Sequence, residues 1–106
     1  MPYARKDLLT WQKGMYYHIY NRGVNRSTIF REPRNYLLVI SKIKEYSRAN
    51  HLTMISYCLE PNHYHFLPRQ DGDEPASNLP QFVSNSYTKA YNKTYNHSGT
   101  LFEGRF

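Results

Sequence analysis

Residues 58–65 read Cys-Leu-Glu-Pro-Asn-His-Tyr-His, and this stretch joins two predicted β-strands. Pro61 fixes its own φ angle and Asn62 tolerates tight backbone geometry, so the centre of the stretch has the chemistry of a turn. Residues 52–59 before the turn and 63–69 after it alternate in polarity and are rich in β-branched or aromatic side chains. The sequence therefore predicts a β-hairpin here.

His63 and His65 are two residues apart on the second strand of that hairpin. Successive side chains of a strand point to opposite faces, which places both histidines on one face with Cα atoms roughly 6.6 Å apart. Tyr64, between them, points to the other face. Two imidazoles at this spacing can converge on one cation and leave positions for oxygen ligands, although such a pair is also typical of polar surface on a solvated sheet. We interpret His63 and His65 as candidate metal ligands.

A further strand is predicted over residues 15–22, where aromatic and β-branched residues are frequent. Alternation places Tyr16, His18, Tyr20 and Arg22 on one of its faces. If this strand lies next to the histidine strand, His18 and Arg22 share the open face with the histidine pair.

Two helices are predicted on either side of the hairpin. The first begins at Pro33, which suits the first turn of a helix, and ends near Asn50. The second follows Ser77 or Asn78 as a cap, and the helical region ends at Gly99. Its apolar face repeats every four residues and consists of Leu79, Val83, Tyr87 and Tyr91.

A fourth strand is predicted to begin at Thr100 and to continue to Phe106. The order β-α-β-β-α-β indicates an α+β fold of the ferredoxin-like kind, an antiparallel sheet with two helices on one face. With 106 residues, the chain is predicted to be one domain, residues 1–106.

The composition favours a polyanionic partner and a reducing compartment. There are 14 Lys and Arg against 8 Asp and Glu, a net charge of +6, and 11 tyrosines that could stack on bases. The single cysteine, Cys58, excludes an internal disulfide and a cysteine-rich zinc site. No apolar run resembles a signal peptide or a membrane span. We expect a soluble protein of the bacterial cytoplasm, associated with the nucleoid and without a membrane partner.

Four blocks together resemble the IS200-like, or Y1, transposases, and among these most closely the REP-associated tyrosine transposases. In chain order the blocks are Tyr17-His18-Ile19-Tyr20 leading into Arg22-Gly23, Cys58-Leu59-Glu60-Pro61-Asn62-His63-Tyr64-His65, Ser86-Tyr87-Thr88-Lys89-Ala90-Tyr91-Asn92, and Gly99-Thr100-Leu101-Phe102-Glu103-Gly104-Arg105-Phe106. These transposases are HUH endonucleases, named for two histidines separated by a hydrophobic residue. Glu60 is a departure, because the family usually has Met there.

The resemblance implies metal-dependent cleavage and rejoining of single-stranded DNA through a 5′-phosphotyrosine, without a nucleotide cofactor. It implies Mg²⁺ or Mn²⁺ held by His63 and His65, with repeat or hairpin ends as substrate. The family's nucleophilic tyrosine lies on a helix after the fourth strand, so we expect it beyond Phe106. The chain is accordingly predicted to be C-terminally truncated, to lack that helix, and to fail by itself to form a phosphotyrosine. Tyr87 and Tyr91 are expected to pack or to contact DNA.

The basic and polar residues predicted to contact DNA are His18, Arg22, Lys89, Lys93 and Arg105. His18 is also a candidate third group near the metal, or a hydrogen-bonded strand histidine. The main alternative function is a nucleic-acid-binding relative without catalysis, since sheets of this kind also bind nucleic acid through exposed aromatic residues. A small structural zinc domain fits poorly, because the thiolates are missing. Both a monomer and a homodimer remain open.

Overall fold

The computed structural model describes residues 11–103. Three strands and two α-helices follow one another as β1 (Ile19–Arg22), α1 (Pro33–Ala49), β2 (Leu52–Glu60), β3 (His63–Gln70) and α2 (Asn78–Tyr95). A short 3-10 turn, Val24–Arg26, follows β1. The sheet order is β1-β3-β2 with antiparallel neighbours. This α+β architecture confirms the predicted fold class and the predicted hairpin.

The central strand, β3, alternates strictly between buried and half-buried side chains. Tyr64 and Phe66 are buried and stack with ring centroids 4.2 Å apart, while His63 and His65 lie on the opposite face. Because a strand has a side-chain period of two, the residues that anchor the sheet to the core also fix which face carries the histidines.

Both helices pack on the face of the sheet that carries Tyr64 and Phe66. Helix α2 buries Leu79, Val83, Tyr87 and Tyr91, which confirms the predicted spacing of four. Helix α1 begins at Pro33 as predicted, and its buried residues are Asn35, Val39 and Ile43. Each large apolar side chain removed from water contributes roughly 1.5–3 kcal/mol to the stability of the fold. Because both helices bury their apolar residues on this one face, neither helix covers the histidine face.

Helix α2 ends earlier than the sequence indicates. The last helical residue is Tyr95, and Asn96 follows in the left-handed region with a φ of 51°. The predicted end at Gly99 is therefore wrong by about one turn, because Asn is the other residue that commonly adopts this helix-ending conformation.

The predicted fourth strand is present among the described residues only as a short pairing. Phe102 forms an isolated antiparallel bridge with Gly23, and the backbone N–H of Glu103 donates to the carbonyl of Arg22 at 2.7 Å. Residues 104–106 of that prediction lie outside the described residues. The first strand is also shorter than predicted: β1 begins at Ile19, and Tyr16 makes only an isolated bridge to Arg69.

Candidate active site

The open face of the sheet gathers polar and aromatic side chains from all three strands around the two histidines. In the sheet register, His63 lies between Arg22 on β1 and Glu60 on β2. His65 lies in the same way between Tyr20 and Cys58. The predicted shared face of His63 and His65 is confirmed, and their role as metal ligands stays a prediction.

The His63 ring is held by the turn residue before it. Nδ1 of His63 lies 2.8 Å from Oδ1 of Asn62. An amide oxygen can only accept, so Nδ1 of His63 is the donor. In this tautomer Nε2 of His63 has the free lone pair that a metal-binding imidazole requires. From the sequence, Asn62 was interpreted only as a turn residue, and its hydrogen bond to the His63 ring was not predicted.

The His65 ring is held by His18, which precedes β1. Nε2 of His18 lies 2.9 Å from Nδ1 of His65, and the two rings are nearly coplanar, with planes 12° apart and centroids 5.1 Å apart, so that they meet edge to edge. The rings of His63 and His65 stand perpendicular, with centroids 5.2 Å apart. His18 is thus a hydrogen-bonded histidine on the face where it was predicted.

Partial burial lowers the pKa of His65 from its ordinary value, and the neighbouring His18 and His63 lower it further, against an opposing effect of Glu60. Desolvation and nearby positive charge both disfavour the imidazolium. His65 is consequently neutral at neutral pH. Neutral imidazole is the form that coordinates metals.

The donor set fits a divalent ion in part. Within residues 11–103, no group of three His, Cys, Asp or Glu side chains is arranged to hold a metal. The Cys58 thiol donates to the Glu60 carboxylate at 3.4 Å, and this bond raises the pKa of Cys58, so the metal-free thiol is protonated at neutral pH. Two imidazoles remain, and further ligands would have to be oxygens from water, a phosphate or another part of the protein.

Arg22 is engaged by an acidic partner beside His63. Its Nε and Nη2 donate to the two carboxylate oxygens of Glu103 at 2.8 and 3.1 Å. This bidentate pair raises the pKa of Arg22 and lowers the pKa of Glu103. From the sequence, Arg22 was predicted to contact a DNA phosphate, and its pairing with Glu103 was not predicted.

Two tyrosines on the same face expose most of their surface. Tyr20 is 61% exposed and its ring lies nearly parallel to that of His65, with centroids 5.8 Å apart. Tyr16 is 56% exposed. Exposed aromatic rings on a sheet are suitable for stacking with unpaired bases.

The remaining predicted DNA contacts are not brought to the histidines. Lys89 and Lys93 are exposed on α2, which packs on the other face of the sheet. Lys89 borders an open groove of about 1110 Å³ between α2 and the segment before Phe102. Arg105 lies outside the described residues.

Tyr87 and Tyr91 are buried, as expected for packing residues. The Tyr87 hydroxyl donates to the carbonyl of Ile29, and burial raises the pKa of Tyr87 well above its ordinary value. The Tyr91 hydroxyl donates to the carbonyl of Thr28 at 3.4 Å. The Tyr87 hydroxyl is a poor nucleophile because it is buried and its pKa is raised, and the Tyr91 ring is buried in the core, so neither residue suits attack on a phosphodiester.

The family model of IS200-like transposases matches residues 11–106, so the chain belongs to that family. A solved REP-associated tyrosine transposase bound to a REP hairpin is similar to the chain with a TM-score of 0.66 and 16% identity, covering 91% of this chain and 55% of that one. A crystal structure of a candidate transposase from Deinococcus radiodurans R1 is similar with a TM-score of 0.62 and 10% identity, covering 82% of this chain and 66% of that one.

The chain thus spans about half of the REP-associated transposase and about two thirds of the other. At these identities the likeness shows the fold. Among curated proteins none matches. Within residues 11–103, neither helix is long and apolar enough to cross a membrane.

Proposed function

We propose that this transposase cuts and rejoins single-stranded DNA through a 5′-phosphotyrosine, with His63 and His65 holding a divalent metal. The observation that carries the proposal is the pair of half-buried imidazoles on an open sheet face, with Nδ1 of His63 tied to Asn62 so that Nε2 is free. The family supplies the reaction class, and this geometry supplies two donors suited to it.

Mg²⁺ or Mn²⁺ bound there would supply positive charge to a nonbridging oxygen of the scissile phosphate. The chain's own residues would orient the strand around that phosphate. The exposed ring of Tyr20 is placed to stack on a base beside the cut, and Arg22 offers a guanidinium beside His63. His18, Lys89, Lys93 and Arg105 remain proposed DNA contacts, those on α2 serving a part of the substrate away from the histidines.

The nucleophile of this reaction is proposed to lie after Phe106, on a further helix. The tyrosines of α2 do not suit this role, which supports the proposal: Tyr87 and Tyr91 donate to backbone carbonyls, and Tyr95 donates to Glu32. Residues 1–106 would then form the domain that holds metal and DNA.

The substrate is proposed to be a DNA hairpin or repeat end with an unpaired flank, acted on at the bacterial nucleoid. The solved relative bound to a REP hairpin supports a substrate of this shape. The net charge of +6 supports a nucleic-acid partner in general.

Nicking of a labelled hairpin with a single-stranded flank tests the function. The full-length gene product is incubated with Mn²⁺, beside His63→Ala, His65→Ala and, as a matched control, His97→Ala, whose ring bonds to Asn92 at the end of α2. We expect nicking in the wild type and the control, and at least a hundredfold loss in both site variants and in EDTA. DNA binding without nicking in any version would instead favour the non-catalytic alternative.

A further inference from the structure

We infer that His18 is a positioning residue that accepts the Nδ1 hydrogen of His65 and so keeps Nε2 of His65 free for the metal. This role rests on the proposed function of the histidine pair. It concerns a residue outside the His63–His65 motif, on a segment 47 residues away in the chain.

The two rings meet at one nitrogen of each ring and lie nearly in one plane. Nε2 of His18 faces Nδ1 of His65 at 2.9 Å, within the normal range of an N–H···N hydrogen bond, and the planes differ by only 12°. The sheet fixes the approach, because Tyr20 lies directly opposite His65 in the antiparallel register and His18, two residues before Tyr20 on the same face, is diagonal to His65. The partnership therefore follows from strand register and does not depend on a mobile loop.

The hydrogen bond can run in two directions, with opposite consequences for a metal. If His18 donates, neutral His65 carries its own proton on Nε2, and that nitrogen has no lone pair to offer. If His65 donates from Nδ1, its Nε2 is bare. The proton of His18 then sits on its Nδ1, so each ring remains neutral and no proton is gained or lost.

The arrangement of His63, and the cation that it would share with His65, favour the second direction. Oδ1 of Asn62 can only accept from Nδ1 of His63, so His63 presents Nε2. Two imidazoles of one strand face that share a cation must both present a bare nitrogen to it, and Nδ1 of His65 is already taken up by His18. His18 therefore does for His65 what Asn62 does for His63. Partners of this kind commonly change metal affinity by about 10- to 100-fold when removed.

The proton positions are measured in the metal-free protein by long-range ¹H–¹⁵N NMR of the imidazoles. The spectra are recorded at a pH above the ordinary range of histidine pKa values, so that the rings are neutral. In the wild type we expect the proton of His65 on Nδ1. In His18→Phe, which keeps an aromatic ring but has no acceptor, we expect His65 to shift toward the Nε2-protonated form. His18→Gln, whose amide oxygen can accept, is expected to restore part of the effect, and His97→Phe is the control that leaves His65 unchanged.

The same proteins are then titrated with Mn²⁺, followed by the EPR signal of the free ion. We expect about a 10- to 100-fold weaker affinity in His18→Phe, with the control within twofold of the wild type.

A wild-type His65 protonated on Nε2, or a tautomer unmoved in His18→Phe, would overturn the assignment. A residue that only contacts DNA phosphates would leave both the tautomer and the Mn²⁺ affinity unchanged. Failure of the proposed function has a different signature: no nicking by any version, with the tautomer shift still present. The wild-type measurement needs no variant, so a His18 substitution that impairs folding does not remove the test.

Discussion

Arg22 holds both carboxylate oxygens of Glu103, a residue 81 positions later in the chain, at 2.8 and 3.1 Å. The pair fastens the segment after α2 to the end of β1, directly beside the position of His63 in the register. The two side chains are 48% and 43% exposed, so water screens the pair and its contribution to folding is small. Its larger effect is on the charge that a phosphate backbone would meet at this edge of the site.

Replacing Glu103 by Gln is expected to strengthen binding of single-stranded DNA. The substitution removes a negative charge and releases the Arg22 guanidinium, and one more phosphate contact steepens the dependence of log K on log salt by about 0.7. We expect a few-fold tighter binding at low salt that fades as salt is raised, measured by fluorescence anisotropy over a KCl series.

Glu45→Gln is the matched control, because it makes the same change of charge on the exposed side of α1. Equal affinities for Glu103→Gln and the wild type at every salt concentration would show that Arg22 does not contact the strand.

The same ion pair predicts a pH dependence. The hydrogen bond from Arg22 lowers the pKa of Glu103, so the ionised carboxylate is favoured in the folded state. Its stabilisation is complete above the ordinary carboxyl pKa and is lost as pH falls through the lowered one. In Arg22→Ala the pKa of Glu103 is expected to return toward its ordinary value in a ¹³C carboxyl titration.

The difference in urea midpoint between wild type and Arg22→Ala should accordingly close as pH falls through the lowered pKa. A Glu103 pKa that is identical in the two proteins would contradict this account. The Asp71 carboxylate, which is paired with Arg69, provides an internal reference that the substitution leaves in place.

The histidine face was predictable from sequence because it depends only on local alternation. The core buries Tyr64 and Phe66, and because side chains alternate along a strand this places His63 and His65 on the other face. The helix face of Leu79 and Val83 was predictable for the same reason, a period set by neighbours in the chain.

The partners of the site residues could not be read in the same way. Whether His18 meets His65, and whether Arg22 meets Glu103, depends on how segments 47 and 81 residues apart are aligned. That alignment is set by the register of β1 on β3 and by the bridge at Phe102, and no local pattern encodes either. Asn62 shows a related limit, because turn chemistry explains its position but says nothing of a side chain directed at the next residue.

Tyr20 is expected to bind a base through its ring. Removing a stacking aromatic costs about 1–3 kcal/mol per base, so Tyr20→Ala is expected to weaken binding of single-stranded DNA by roughly 5- to 150-fold, while Tyr20→Phe, which keeps the ring, binds as the wild type does. Anisotropy titrations with an unpaired oligonucleotide measure both.

Tyr57→Ala is the control, because Tyr57 is 47% exposed but pairs with Phe66, on the face away from the histidines. Equal losses in the Tyr20 and Tyr57 variants would argue against a platform on the histidine face, and a loss in Tyr20→Phe would assign the effect to the hydroxyl.

Substitution of Tyr87 tests whether this tyrosine has a structural or a catalytic role. Its hydroxyl donates to the buried carbonyl of Ile29, so Tyr87→Phe leaves that oxygen without its partner and is expected to lower the free energy of unfolding by about 1–3 kcal/mol. Tyr91→Phe, whose longer bond to Thr28 is only partly buried, is expected to lose less. Urea unfolding measures both, and nicking per folded molecule should stay at the wild-type level. A folded Tyr87→Phe protein that no longer forms a covalent DNA adduct would make Tyr87 the nucleophile and contradict its packing role.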